Sequence, residues 1–391
     1  MVLVAYVLTA LIRKKLTIPR DPVRIFVLIL LVALSFSLPL AINRARALQV
    51  FAFMILMVLT YLTVTLVAQD KKSIILVVQG ILWGAVVVAA LGLFQFFGDM
   101  IGLPASITLL KQGYDKSTFG FARVQALSAE PLYFANYIFI PLMIGIALWI
   151  RGQVEKIFPK WLAIVLSIAL LINFILAIAR GAYIAAAVVL LLFLIVQAKV
   201  IFQLKNIIAF VLIAAVVLTG SYLALLKSEP RALDEFIAHL EVQDYQVGES
   251  VVSRLNASEQ ALQIFENHPL FGAGLGNFGP IVQNDPSVKP DSGWFIVNDE
   301  YLELMAENGI IGLLAFVVLC LALLIRAIIS YWRSKDELLK SLVLGLSLAL
   351  VGILVQYATF STLYIFHIWF LIGLLAAVCN VILNRNAQKS P

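Results

Sequence analysis

The block Ser253–Leu313 decides the organisation of this chain: SRLNASEQALQIFENHPLFGAGLGNFGPIVQNDPSVKPDSGWFIVNDEYLELMAENGIIGL. It is polar and punctuated by glycine, and it ends in a helix that becomes apolar after Gly309. Around it, hydrophobic residues make up 62% and charged residues 13% of a 391-residue chain, whereas soluble domains carry about 25% charged residues. A chain of this composition has no general reason to collect polar residues in one place. We therefore expect the block to lie outside a membrane and to bind or act on a molecule there.

Apolar runs of about 20 residues recur along the chain, each long enough to cross a hydrocarbon core of roughly 30 Å. They predict an all-α, polytopic membrane helix bundle of about 10–12 spans, with a large, partly helical extracytoplasmic loop before the last three spans. Because 161–198 would make a helix about twice as long as a bilayer is thick, Arg180-Gly181 predicts a tight hairpin of two spans there. The predicted spans are 23–42, 47–67, 74–97, 131–150, 160–178, 181–198, 206–226, 303–325, 338–357 and 363–383.

Three regions follow from these spans. Residues 1–226 hold a short first helix and about seven spans, 227–302 form the loop, and 303–391 hold three spans and a cytoplasmic tail. The first helix, within residues 1–12, is either the second half of a helix that begins earlier or an interfacial anchor.

The charges alternate from loop to loop. With the spans above, 18 of the 28 Lys and Arg residues fall on one side, mostly in short loops near span ends. The positive-inside rule makes that side cytoplasmic, so the polar block is extracytoplasmic. The net charge of +6 therefore reflects membrane topology and does not indicate nucleic-acid binding.

Within the loop the pattern predicts helices at Arg231–Leu240 and Glu249–Asn267, and a helix that begins near Asn298–Asp299 with a capping residue. Residues 274–279 match GxGxxG, but no strand precedes them and proline follows, so a turn is expected and not a nucleotide site.

Five of the arginines that fall on the outer side, against the general charge bias, are candidates for ligand binding. Arginine presents a planar, permanently charged fork that suits a phosphate group, and several together would suit a lipid diphosphate. The alternative is that they contact phospholipid head groups or snorkel at span ends. The candidates for binding a substrate diphosphate are Arg44, Arg46, Arg123, Arg180 and Arg254.

Asp299 and Glu300 are the candidate catalytic residues, since a carboxylate at the mouth of a span can act as a general base on a hydroxyl. The alternative is that they stabilise the positive end of the helix. Glu130 is a weaker candidate of the same kind, and Glu303 and Glu307 follow on the same helix. No cluster of His, Cys and Asp has the spacing of a metal site, and Cys320 and Cys379 lie in apolar spans as small hydrophobic residues.

HPLFGAGLGNF at 268–278 and VNDEYLELMAENGIIGL at 297–313, with Arg254 upstream, closely resemble the signature of the O-antigen ligase and polysaccharide polymerase family. RVQALSAEPLYFANYIFIPL at 123–142 and AIARGAY at 177–183 resemble its other motifs. The resemblance implies a glycosyltransferase of the bacterial inner membrane with its active face extracytoplasmic. Such an enzyme moves a glycan from an undecaprenyl-diphosphate carrier to a hydroxyl of an acceptor glycan or lipid, without metal or cofactor. It also implicates Arg123, Arg180 and Arg254 in holding the diphosphate.

One position departs from the family. Where its ligases carry His-Asn, this chain has Asn298-Asp299. Either a carboxylate replaces the imidazole as base, which favours a polymerase over a lipid A-core ligase, or the chain is catalytically divergent. A transporter or flippase of lipid-linked sugars, a non-enzymatic membrane scaffold and a peptidoglycan polymerase are the alternative functions.

Overall fold

The structure is a computed structural model that describes residues 20–111, 113–115, 121–201, 212, 215, 219, 249–283, 285–290 and 293–387. Every regular element in these residues is helical, so the predicted fold class is confirmed. The α-helices, numbered α1 to α12 in chain order, are Val23–Ser35, Arg44–Val67, Lys71–Met100, Ala105–Thr108, Pro131–Ile150, Lys160–Leu176, Arg180–Ile201, Glu249–Asn267, Phe278–Val282, Glu300–Arg333, Glu337–Gln356 and Phe366–Ala387. Short 3₁₀ turns lie at Leu38–Leu40 and Val154–Lys156.

Eight segments in the described ranges are long and apolar enough to cross a membrane, and α6 is a shorter apolar helix. They coincide with the predicted spans except 206–226, of which the structure describes only residues 212, 215 and 219. The short first helix and Arg231–Leu240 lie outside the described residues. The predicted hairpin is confirmed, because α6 ends at Leu176 and α7 begins at Arg180. The loop helix α8 covers Glu249–Asn267 as predicted.

The chain divides into two compact units. The first comprises Met1–Ile74, Val247–Lys335 and Tyr357–Pro391, and the second Ile75–Gln246 and Asp336–Gln356.

In the first unit, α12 packs along α2, and α1 packs along α10. The backbones of α2 and α12 approach so closely that a Cβ on Gly373 would lie 3.1 Å from the carbonyl oxygen of Tyr61. The polar helix α8 packs on the first turns of α10 through a small apolar cluster, which ties the polar loop to that helix: Ala257, Ala261, Phe278, Val297 and Ala306.

In the second unit, α11 lies against α5 and α7. Gly345 permits this contact, because a Cβ there would lie 2.8 Å from the carbonyl oxygen of Met143. The loop before α5 is held by the buried side chain of Gln95, whose Oε1 accepts hydrogen bonds from the backbone N–H groups of Gln125 at 3.2 Å and Ala126 at 2.7 Å. This fixes the chain immediately after Arg123.

Candidate active site

Asp299 is the N-cap of α10. Its Oδ1 accepts hydrogen bonds from the backbone N–H groups of Tyr301 at 2.9 Å and Leu302 at 3.1 Å, which satisfies two of the free amides of the first turn. The preceding residue, Asn298, has φ of 61°, a left-handed conformation in which Asn, Asp and His are enriched among non-glycine residues. The left-handed backbone conformation at position 298 therefore favours a residue such as asparagine.

Three glutamates, Glu300, Glu303 and Glu307, lie on one face of α10 because their spacings of three and four residues match the helical repeat. Glu300 is 3% exposed. Its Oε2 accepts a hydrogen bond from the N–H of Thr362 at 2.6 Å, and its own N–H donates to the carbonyl of Tyr357 at 2.8 Å. Glu300 therefore fixes the segment between α11 and α12.

Arg254 reaches the same segment from α8. Its Nη1 donates to the carbonyl oxygen of Thr359 at 3.0 Å. Glu300 and Arg254 thus hold residues 357–362 from two elements, and the structure brings Arg254 close to the start of α10 although 45 positions separate Arg254 and Asp299 in the sequence. Glu303 completes this end of the helix, since its Oε2 accepts from the N–H of Val297 at 2.9 Å.

Helix α10 is kinked at Gly309, where φ is 63° and ψ is −168°. The kink frees amides from the helical pattern, and the loop before it takes them up. The N–H groups of Ile310 and Ile311 donate to the carbonyls of Pro269 at 2.9 Å and Leu270 at 3.3 Å. A Cβ on Gly309 would lie 2.3 Å from the carbonyl carbon of Leu270, so only glycine fits this contact.

The exchange is reciprocal. The N–H groups of Ala273 and Gly274 donate to the carbonyls of Ala306 at 2.9 Å and Glu307 at 3.0 Å on α10. Buried backbone groups are costly when unpaired. The loop carbonyls accept from the amides freed by the kink, and the α10 carbonyls accept from the loop amides, so both sets of groups are paired. Residues 274–279 accordingly form a turn into α9, as the sequence predicted.

The carboxylate of Glu307 holds the glycine loop directly. Its Oε2 accepts from the N–H of Gly276 at 2.6 Å and its Oε1 from the N–H of Phe278 at 2.9 Å. Arg46 binds the other side of the loop, donating from Nε to the carbonyl of Gly276, and its guanidinium carbon lies 5.2 Å from the ring centroid of Trp294. Arg46 is therefore built into the loop.

Tyr364 lies beside this group, close enough to interact with the charges of Arg46 and of all three glutamates. Burial is the main factor that raises the pKa of its phenol above the ordinary value. Its ring stacks on Phe53 with centroids 6.0 Å apart.

The second unit brings Arg123 and Arg180 together. Nη2 of Arg123 donates to the carbonyl of Ile178 at 2.9 Å, in the break between α6 and α7, and Arg180 is the first residue of α7. The guanidinium carbon of Arg123 lies 5.8 Å from the ring centroid of Tyr114. Burial lowers the pKa of Arg123, and the positive charge of Arg180 contributes in the same direction. Two guanidinium groups in one place, at the positive end of a helix, form an anion-attracting arrangement.

The predicted residues thus fall into two groups. Arg46, Arg254, Asp299 and Glu300 lie in the first unit at the start of α10 and the loop around it, and Arg123 and Arg180 lie in the second. Arg44 is exposed at the first residue of α2.

Sequence reasoning missed the role of Glu307 and the segment 357–362. The spacing of Glu300, Glu303 and Glu307 on one face was a signal for the former. The described residues contain no group of His, Cys, Asp and Glu that could hold a metal ion.

Eight membrane-length helices in the described residues define a polytopic membrane protein, and in it a row of carboxylates on α10 is joined to a polar glycine loop. Residues 162–317 match the family model described as O-antigen ligase, so the recognition of this family from the sequence is confirmed. The matched region runs from α6 through the hairpin, α8 and the glycine loop to the kink in α10. It indicates a membrane function of the O-antigen ligase or polymerase type. A comparison with curated proteins gives no match.

Proposed function

We propose that this protein is a glycosyltransferase that moves a glycan from an undecaprenyl-diphosphate carrier to an acceptor hydroxyl on the extracytoplasmic side of the bacterial inner membrane. The family domain supports the reaction class. The hydrogen bonding of the two oxygens of the Asp299 carboxylate is the observation that supports the roles proposed for the site residues.

Asp299 is proposed as the general base. Its Oδ1 is fixed by two backbone amides, whereas its Oδ2 accepts no hydrogen bond from the described residues, and the side chain is half-buried. One oxygen is thus held still while the other is available to a substrate hydroxyl, which is the geometry that general-base catalysis needs. Glu300 is buried and bonded to Thr362, so we assign it the positioning of residues 357–362.

In the proposed step, the acceptor oxygen attacks the anomeric carbon of the carrier-linked sugar. The bond from that carbon to the phosphate oxygen breaks, the diphosphate leaves with its lipid, and the hydroxyl proton passes to Asp299. The attack from the side opposite the leaving group inverts the anomeric centre.

Arg123 and Arg180 are proposed to bind the diphosphate. Their mutual repulsion is relieved when a multiply charged anion binds them, and the guanidinium fork matches phosphate oxygens. Arg254 is proposed as a further phosphate contact, since its guanidinium brings several N–H donors to the segment beside the start of α10. Arg46 is assigned to holding the loop.

The proposal is tested with Asp299→Asn. Asparagine caps a helix about as well as aspartate, so the melting temperature should stay close to that of the wild type. Loss of a general base should lower the rate of transfer by about 10²–10⁴-fold. The assay follows the covalent glycan product by mass spectrometry, with purified full-length protein in lipid nanodiscs and lipid-linked oligosaccharide from the source cells.

Glu259→Gln on the exposed face of α8 is the matched control and should retain full activity. If Asp299→Asn transfers glycan at the wild-type rate, Asp299 is not the base. If the wild-type protein moves the lipid-linked sugar across the bilayer without forming a new glycosidic bond, a flippase function replaces the proposed one.

A further inference from the structure

An open surface cavity of about 530 Å³ lies in the first unit beside α8. Ser253, Asn256 and Gln260 line it from α8, Gln283 from the end of α9, and Phe295 from the irregular segment before α10. Its volume falls within the range of small-ligand sites in proteins, about 300–1,000 Å³. It involves none of the carboxylates or arginines assigned above.

The polar wall of this cavity is made of amides and a hydroxyl. Ser253, Asn256 and Gln260 share one face of α8 because their spacings are three and four residues. Each amide offers both donors and an acceptor, so the wall can bind groups that donate and accept at once, as hydroxyls do. No charged residue lines the cavity within the described part of the chain, so the lining does not favour a phosphate or a carboxylate.

Gln283 gives an independent indication of a ligand. Its Oε1 is buried and has no hydrogen-bond donor among the described residues. A buried acceptor without a donor is unfavourable, and unpaired groups of this kind occur where a partner binds. Because the Oε1 atom has almost no accessible surface in this rotamer, a ligand hydroxyl would supply the missing donor once the Gln283 side chain rotates toward the cavity.

Phe295 provides the apolar wall. It is 41% exposed, and its ring is held against Phe278 with the centroids 6.4 Å apart. An aromatic ring and a row of amides in one lining suit a sugar ring, because one face of the sugar carries C–H groups and its edge carries hydroxyls. Val252 and Val282 extend the apolar side of the wall.

We propose that this cavity binds an uncharged saccharide unit of the glycan substrate. The proposal rests on the proposed function, since it supplies that reaction with a sugar subsite. Ser253 precedes Arg254 on α8, and Phe295 lies four residues before Asp299, so the chain connects one wall of the cavity to the proposed phosphate contact and the other to the proposed base.

The binding test uses the free, dephosphorylated oligosaccharide released by mild acid from the carrier lipid of the source cells. Titration calorimetry measures its affinity for the full-length protein in detergent. Gln283→Leu should weaken binding by about tenfold through loss of one hydrogen bond and leave the melting temperature equal or higher, since an unsatisfied buried acceptor is removed. Phe295→Ala should weaken binding by a similar factor.

The matched control is Gln263→Ala, an exposed amide on α8 outside the cavity lining, which should bind as the wild type does. Transfer kinetics then separate the two possible sources of the sugar. A KM raised by Gln283→Leu only for the lipid-linked donor assigns the cavity to the donor glycan, and a KM raised only for the acceptor assigns it to the acceptor.

Equal affinity of Gln283→Leu, Phe295→Ala and wild-type protein for the oligosaccharide overturns the cavity proposal, and wild-type transfer in the same preparations would leave the proposed function intact. If the wild-type protein forms no product yet binds the oligosaccharide in a manner that depends on Gln283, the cavity proposal holds and the proposed function fails.

Discussion

Gly309→Ala probes the kink that joins the glycine loop to α10. At φ 63° and ψ −168°, the residue occupies a backbone region that is essentially restricted to glycine, and forcing another residue into it costs about 1–3 kcal/mol. The added Cβ would lie 2.3 Å from both the carbonyl carbon and the oxygen of Leu270 and 2.6 Å from the N of Phe271. Backbone atoms cannot rotate away, so the loop itself must shift.

That shift weakens the hydrogen bonds from Ile310 and Ile311 to the loop carbonyls, each worth about 0.5–1.5 kcal/mol net. Together with the backbone strain, the combined loss is about 2–6 kcal/mol. With an unfolding entropy of about 2.1 cal/mol/K per residue over the whole chain, this corresponds to a fall of roughly 5 °C in melting temperature.

The measurement is differential scanning fluorimetry in one detergent, with Gly80→Ala as the matched control. Gly80 lies inside α3 and is exposed, and a Cβ added there would have no neighbouring atom within 4 Å. Alanine in a helix is favoured over glycine by up to about 1 kcal/mol, so the control should melt at or slightly above the wild-type temperature. A Gly309→Ala protein that melts with the Gly80→Ala control would refute the reasoning.

Three further predictions follow from the site. Glu307→Gln leaves one of the two loop amides facing an NH₂ group, so it should lower the free energy of unfolding by about 1–3 kcal/mol. The exposed Glu259→Gln should leave it unchanged. Equal denaturation midpoints for the two variants would contradict the role given to Glu307. Asn298→Val places a β-branched residue at φ 61° and should cost about 1–3 kcal/mol, while Asn298→Gly should cost little, and thermal melts of the pair decide between backbone strain and loss of the side chain. Arg123→Lys keeps the charge but loses the fork, so the KM for the lipid-linked donor should rise about tenfold or more with a smaller change in kcat, and an unchanged KM would remove Arg123 from the phosphate contacts.

The helices and the hairpin could be predicted from the sequence because both rest on local signals. The length of the apolar runs predicts the spans, and the run from Trp161 to Ala198 is too long for one helix. The cap at Asp299 was predictable for the same reason, since a capping residue followed by acids is a short-range pattern.

The partners of the side chains could not be predicted in this way. Glu300 binds Thr362 and Arg254 binds Thr359, contacts that span 62 and 105 residues and depend on how α8, α10 and α12 pack. Arg46 illustrates the same point, because its type and position suggest phosphate binding, whereas its position in the fold shows a contact with the Gly276 carbonyl. The charge of an arginine and its expected side of the membrane make it a candidate ligand-binding residue. Only tertiary packing determines whether its guanidinium group is available to a ligand.

The order of synthesis has a consequence for the glycine loop. The amides of Ala273, Gly274, Gly276 and Phe278 find their partners on Ala306 and Glu307, which the ribosome adds about 30 residues later. Glu300 in turn receives its hydrogen bond from Thr362, added 62 residues after it. The glycine loop therefore lacks these partners until α10 has been synthesised, and the proposed site is completed only when residues 357–362, just before α12, follow. A chain truncated before Tyr357 would keep most of its membrane helices yet lack a finished site, which makes assembly of the site a late step in the biogenesis of this protein.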